Sequence, residues 1–423
     1  MGQTIAEKII ERHAAAGRIS PGQIVEARPD RILLNDVSGP LAFQEFERMG
    51  ATRVSDPEQV VLVQDHFAPA PSLGGATALQ AVRRFRDSQG IEHFFDVGQG
   101  GIEHTLLPQQ GLVRPGDLII GGDSHTCTYG AFDAFGTGMG STDIAAALAL
   151  GEIWLRVPET QRFIFRGSRR PFVTGKDVIL RVLREIGVDG ANYQAMEFYG
   201  LGAFSMDERM AICNMVVEGG AKAGFVAPDE VTRSWASGLF KDAFTLVAAD
   251  EDAQYLATRR FDLEAFGPQV ARPGSPGDVS DLADVAGRRV DQVYIGNCAN
   301  GTLTDLRQAA EVLRGRRVAR RTRLIVVPAT QEIYRAALQQ GIIDDLLAAG
   351  AAVSTPSCGA CFGGHMGLLA EGEVAITTTN RNFRGRMGHP DAGIYLANAY
   401  VAAASAVAGS VCDPADVLGE GKR

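Results

Sequence analysis

The residues best able to do chemistry in this chain stand in short polar clusters set in glycine. Pro356 to Gly364 reads PSCGACFGG, with two residues between Cys358 and Cys361, and Cys298 stands in a second small-residue turn, IGNCANG, directly after an apolar run. A lone CxxC is equally a redox pair, half of a zinc site or two incidental cysteines. The third cysteine and the stretch TTNRNFRGRMG, carrying Arg381, Arg384 and Arg386, raise the metal reading above the others. Three thiolates can hold zinc or an iron–sulfur cluster. Three protein ligands instead of four leave one metal position open to substrate, which points to Lewis-acid chemistry.

A second set of residues suits acid–base work. Asp65 and His66 follow the buried-strand pattern QVVLVQ, although an Asp-His pair at a strand end also reads as a satisfied turn. His104 sits in GQGGIEH, and DLII runs into GGDSHTCTYGAFDAFGTGMGSTD, where Asp123, Ser124 and His125 are adjacent. We read this stretch as polar groups around a small anionic substrate. A Ser-His-Asp hydrolase is excluded because neighbours on an extended segment point in alternating directions and no GxSxG elbow surrounds Ser124. Cys127 has no partner at metal-ligand spacing and reads as a plain small packing residue, and His93, before an aromatic run, as a packing or hydrogen-bonding residue. Asn214 and Glu218 are four apart on an expected helix Met206–Glu218 and share a face; a surface hydrogen-bonding pair is the plainer reading.

The elements that must position these groups alternate. Asp291–Ile295, Arg323–Pro328 and Ala351–Ser354 read as strands, separated by helices over Asp305–Leu313 and Gln331–Leu347. Such alternation implies parallel pairing through right-handed crossovers. Ligands then bind beyond the carboxyl ends of the strands, so the loops of Cys298, of Cys358 with Cys361, and of Asn380 to Arg386 should open on one edge. Earlier in the chain we expect helices over Thr4–Ala16, Gly74–Asp87, Ile144–Leu155 and Asp177–Ile186, and a small-residue helix over Ala392–Ala408. Phe266 to Asp281, rich in Pro, Gly and Ser, reads as a linker, and the basic run Arg314 to Arg323 as a solvated connection.

Composition bounds the rest. The chain has 423 residues, 45% hydrophobic and 22% charged, long enough for several cores and ordinary for a globular protein. A net charge of −9 argues against nucleic acid as the main partner. Six irregularly spaced cysteines do not form a secreted disulfide pattern, the first residues read as an amphipathic helix rather than a signal peptide, and no apolar run has membrane-spanning length. The expected location is the cytoplasm.

With these motifs assembled, the sequence resembles the aconitase superfamily, and within it the large subunits of the 3-isopropylmalate dehydratase and homoaconitase type. The resemblance covers nearly the whole chain: QDH at Asp65 and His66, IEH at His104, GDSHTCTYGAF, GMGSTD, ICNM at Asn214 with Glu218, PQVARPGSP, IGNCANG, PSCGACFGGHMG and TTNRNFRGRMG. Asn297 and Ala299 stand where the family motif has serine and threonine, and Ala360 where it has proline.

The resemblance implies an α/β fold of three aconitase-like domains, residues 1–160, 161–270 and 271–423, with parallel and mixed sheets flanked by helices and the cluster at the domain interface. It implies one 4Fe-4S cluster on Cys298, Cys358 and Cys361 with one open iron. Asp65 with His66 would protonate the departing hydroxyl, and His104, Asp123 and His125 would hydrogen-bond the water or hydroxide on that iron. Ser124, Arg381 and Arg386 would bind substrate carboxylates. Asn214 and Asn380 would support the cluster environment, and Glu218 the site as a whole. The family's proton-abstracting serine lies in a swivelling domain that this chain is too short to contain, so a separate small subunit is expected. The activity implied is a hydro-lyase acting on a 2-hydroxy di- or tricarboxylate, first 2-isopropylmalate in leucine biosynthesis, then homocitrate or homoaconitate, then citramalate or dimethylmalate. Cluster-free relatives that bind RNA supply a binding-protein alternative, and a zinc-stabilised structural protein a third.

Overall fold

Buried strands ending in polar loops organise both halves of this protein. The structure, a computed structural model, describes residues 2–419. It is α/β, and its contacts divide into two compact units. One comprises residues 1–97, 106–166 and 191–261; the other comprises 98–105, 167–190 and 262–423.

The first unit holds a five-stranded parallel sheet in the order Phe94–Phe95, Val60–Val63, Arg31–Asn35, Leu118–Gly121, Phe135–Gly138. Val60–Val63 and Leu118–Gly121 are buried along their whole length, the apolar runs expected of parallel strands covered on both faces. The chain leaves Arg31–Asn35 toward one edge and then restarts on the other side at Leu118–Gly121. At such a switch point the loops diverge and open a crevice. A second sheet, ordered Ala223–Val226, Ala195–Tyr199, Thr160–Arg166, Ala257–Asp262, and an antiparallel ribbon of Ile24–Ala27 with Ile153–Arg156 complete the unit.

The second unit is built on a seven-stranded mixed sheet: Val279–Asp281, Gln269–Ala271, Gly393–Leu396, Val374–Thr377, Gln292–Gly296, Arg323–Val327, Ala352–Val353. The last five are parallel and the first two antiparallel. Here too the order reverses beside the first parallel strand, between Gln292–Gly296 and Val374–Thr377.

Local chemistry sets the helix starts. Thr4 with Glu7, Thr174 with Asp177, Ser205 with Glu208 and Thr302 with Asp305 form capping boxes. Glycine sets several of the stops that differ from expectation. The Ile144–Leu155 segment is a helix over Ser141–Leu150 and then the strand Ile153–Arg156, because Gly151 turns left-handed with φ 74°. The Gln331–Leu347 helix is two, Gln331–Gln339 and Ile342–Ala349, broken at Gly341 with φ 72°. Ala392–Ala408 is the strand Gly393–Leu396 followed by the helix Ala399–Ala408, which Asn398 caps. The expected linker over Phe266 to Asp281 is structure: Gln269–Ala271 pairs antiparallel with Val279–Asp281, and its prolines and glycines form the turn between them. Among the described residues no helix is long and apolar enough to cross a membrane. Arg314 of the basic run pairs with Asp345 at 2.8 Å and Arg323 with Glu373 at 2.7 Å, local partners that leave less of it for a polyanion.

Candidate active site

In the first unit three strand ends deliver Asp36, Asp65 with His66, and Asp123. Asp36 was not singled out from the sequence, yet it organises the group. It is fully buried, and its Oδ1 accepts the backbone N–H of Asp65 at 3.0 Å and of His66 at 3.0 Å, while Oδ2 accepts that of Phe67. Its only sequence signal is position: a carboxylate closing the apolar run RILLND.

Held this way, His66 Nδ1 lies 2.6 Å from Asp65 Oδ1, and its Nε2 lies 3.8 Å from Asp123 Oδ2. Burial alone would discharge the ring. The negative charge and hydrogen bond of Asp65, with further charge from Asp36 and Asp123, outweigh burial and raise the His66 pKa well above the ordinary histidine value. A histidine so placed holds a proton at neutral pH and can give it away. Burial, with Asp65 adding to it, also raises the Asp36 carboxyl above the usual range.

Ser124–Phe132 is a 3-10 helix rather than the extended segment expected, so side chains do not alternate there. Asp123 caps it, accepting the His125 N–H at 2.7 Å. The His125 ring stands between two carboxylates, with Nδ1 3.4 Å from Asp123 and Nε2 3.0 Å from Glu218. Asn214 donates to Thr128 Oγ1 at 2.9 Å. The expected Met206–Glu218 helix is α-helical only to Asn214 and 3-10 over Met215–Gly219; both Asn214 and Glu218 are buried, not a surface pair. Cys127 is buried and its Sγ donates to Asn214 O, as a packing residue would. Ser124 and Asp123 line a cleft of about 500 Å³ with Gly122, Gly138 and Lys222, whose Nζ donates to Gly138 O at 2.9 Å. Lys222 was also missed; nothing in its local sequence marks it.

The second unit gathers the cysteines. Cys298 follows the central strand Gln292–Gly296, Asn380 follows its neighbour Val374–Thr377, and Cys358 with Cys361 follow the edge strand Ala352–Val353. All three strands are parallel, so the three loops do leave the same edge. The thiols are 6%, 7% and 3% exposed for Cys298, Cys358 and Cys361. The Asn380 amide links two of them, accepting from Cys361 Sγ at 3.4 Å and donating to Cys298 Sγ at 3.4 Å. Tyr294 is fully buried and its hydroxyl donates to Cys358 O at 3.4 Å; burial first, then the neighbouring Cys358, Cys361 and Cys298, raise its hydroxyl pKa.

The loops are built for close approach. A Cβ on Gly359, whose φ is 62°, would lie 2.1 Å from Tyr294 Oη. Asn297 takes the unusual φ of 128° and accepts the N–H of Ala299 at 2.9 Å and of Asn300 at 2.7 Å. Its Nδ2 is buried beside Cys298 with no protein acceptor. Arg386 Nε is likewise buried without a protein partner, whereas Arg384 is exposed and pairs with Asp391. Three sheltered thiols, with an unmet donor on Asn297 in the Cys298 loop and another on Arg386 in the loop after Val374–Thr377, fit a thiolate-bound group carrying further acceptor atoms, as the sulfides of an iron–sulfur cluster would. His104 belongs to the same unit: Gly101 bridges Thr330, Thr105 Oγ1 donates to Cys298 O at 3.1 Å, and the buried imidazole lies 3.6 Å from Glu103.

Known proteins place the chain in a family. A family model described as "Aconitase family (aconitate hydratase)" matches residues 7–409. The 3-isopropylmalate dehydratase large subunit 2 of Rubrobacter xylanophilus is 52% identical over 422 residues, covering 99% of either chain. The large subunits bearing the same enzyme name in Moorella thermoacetica and Desulfitobacterium hafniense are 50% and 49% identical, each covering 99% of this chain and 100% of the relative. A solved structure, the holo-form of aconitase X from Thermococcus kodakaraensis, aligns with a TM-score of 0.48 at 14% identity, covering 87% of this chain and 88% of that one. By the family match and by identity over its length, this chain belongs to the aconitase family.

Proposed function

We propose that this chain is the large subunit of a 4Fe-4S hydro-lyase that interconverts 2-isopropylmalate and 3-isopropylmalate by dehydration and rehydration. The observation that carries the reading is the pair of constellations at two strand-order reversals, one thiolate and one acid–base, in a chain about half identical to large subunits of that name over its whole length. Family membership implies an iron–sulfur group; Cys298, Cys358 and Cys361 would hold it, leaving one iron to polarise the substrate's C–OH bond.

The chain's own residues supply the rest. His66, kept protonated by Asp65, is the acid for the departing hydroxyl at Nε2, and Asp36 fixes the backbone that aims it. His125, between Asp123 and Glu218, orders the water that leaves and returns, with His104 in the same role. Ser124, Arg381 and Arg386 bind substrate carboxylates, the guanidinium forks matching their planar geometry. Asn214 and Asn380 hold the surrounding loops through Thr128 and the cysteines. Removal of the carbon-bound proton falls to a residue of a separate small subunit. The relatives' names favour isopropylmalate over homocitrate or citramalate as substrate.

The test is anaerobic. The chain is reconstituted with iron and sulfide, combined with its co-expressed small subunit, and followed by alkene absorbance with 2-isopropylmalate, homocitrate, citramalate and citrate in parallel. We expect isopropylmalate to turn over fastest; a different preferred acid would change the substrate and keep the chemistry. Failure of a loaded, partnered enzyme on every acid would overturn the reading.

A further inference from the structure

Lys176 is the second residue of the helix Gly175–Ile186 and is fully buried. Taking an ammonium wholly out of water is costly unless its donors are met and its charge is useful. Its Nζ donates to the carbonyl oxygens of Thr378 at 3.0 Å and Thr379 at 2.7 Å. The second of these oxygens belongs to the peptide group whose N–H is that of Asn380, the residue whose side-chain amide touches the sulfurs of both Cys298 and Cys361. The same turn is tied to the Cys298 loop, since Thr378 Oγ1 accepts the Gly296 N–H at 3.0 Å. A single buried cation is thus joined, through one turn, to the amide that bridges two of the three thiols. A full positive charge suits a place where negative charge must be held nearby.

We propose that Lys176 is a positioning residue for the iron–sulfur centre: its ammonium sets the Thr378–Asn380 turn and offsets the negative charge of the thiolate-bound group. The assignment rests on the iron–sulfur reading above. It gives Lys176 no contact with substrate, and it separates this lysine from one that merely staples two loops.

The experiment compares wild type with Lys176→Met, which keeps the stem length and removes charge and donors, in the full chain reconstituted anaerobically. Removing the cation disfavours the reduced, more negative state. The midpoint potential should therefore fall by the equivalent of about tenfold in the redox equilibrium, about 59 mV for one electron. Iron release to a chelator should be about tenfold faster, because the Thr378–Asn380 turn loses the two charge-assisted hydrogen bonds that anchor it. Because that turn reaches the thiols through Asn380, the double variant with Asn380→Ala should release iron no faster than the worse single variant. A folded Lys176→Met chain with wild-type potential and iron release would overturn the assignment, even if its melting temperature dropped. Should Lys176→Met fail to fold, the Lys176 Nζ resonance of 15N-labelled wild-type chain decides: a shift on loading supports the proposal, and an unchanged signal overturns it. Wild type that takes up no iron and sulfide would instead overturn the reading on which the assignment rests.

Discussion

Asp65→Asn isolates the acid in this site. The substitution keeps an oxygen able to accept from His66 Nδ1 but removes the charge, so the 2.6 Å contact becomes a neutral hydrogen bond. A hydrogen bond to a charged group contributes about 1.5–3 kcal/mol, and a pKa unit corresponds to about 1.36 kcal/mol. The His66 pKa should therefore fall, with burial, the largest single influence on the ring, now opposed by the charges of Asp36 and Asp123 and by a weaker hydrogen bond at Nδ1. In the partnered, loaded enzyme the acid must be protonated, so the alkaline limb of the kcat/KM profile reports its loss. That limb should move to lower pH by about 1–2 units, with activity largely retained on the acid side. Stability moves with the same sign. A raised native pKa makes the protonated ring stabilising below its unfolded pKa, and this is lost as pH rises through the native value; Asp65→Asn shortens that window. An unshifted alkaline limb, with folding and metal content intact, would refute His66 as the acid.

Three further expectations concern stability and the cysteine loops. Burial raises the Asp133 carboxyl to about 8, with the Val247 N–H as its hydrogen-bond donor. The native state then binds a proton that the unfolded chain loses near pH 4, so this residue costs stability as pH rises from there toward 8. In urea titrations at pH 5 and pH 8, Asp133→Asn should recover up to about 3–4 kcal/mol of that loss; equal pH dependence in both proteins would contradict it. Arg209 is fully buried and bidentate to Asp229 at 2.7 and 2.6 Å, bracing the helix that ends at Asn214. Asp229→Ala strands that charge and should cost about 3–5 kcal/mol by denaturant unfolding, where a loss below about 1 kcal/mol would show the arginine re-solvated. Gly359→Ala forces a methyl to 2.1 Å from Tyr294 Oη at a left-handed φ, so its iron and sulfide content after reconstitution should fall well below wild type; full loading would mean the loop yields.

What the linear order of residues determined was the chemistry and its local framing. Cys298, Cys358 and Cys361, the Asp65–His66 pair and the Asp123–His125 run are each marked by type and by glycine around them, and each follows an apolar run that does form a strand. Capping boxes are legible for the same reason, since their two partners lie three residues apart. Where propensity misled, the sheet overruled it. The Pro- and Gly-rich Phe266–Asp281 segment pairs as a hairpin because ladder hydrogen bonds and burial outweigh its turn-like composition, and Gly393–Leu396 is drawn into the sheet beside Val374–Thr377. Tertiary structure alone decided the partners. Asp36 lies 29 residues before Asp65, and Lys176 lies 202 before Thr378. Asp36 shows only its position after an apolar run and Lys176 shows nothing, because a buried carboxylate or ammonium is recognised by the groups that meet it. Those groups are assembled only when non-consecutive strands pair and bring their ends to one edge.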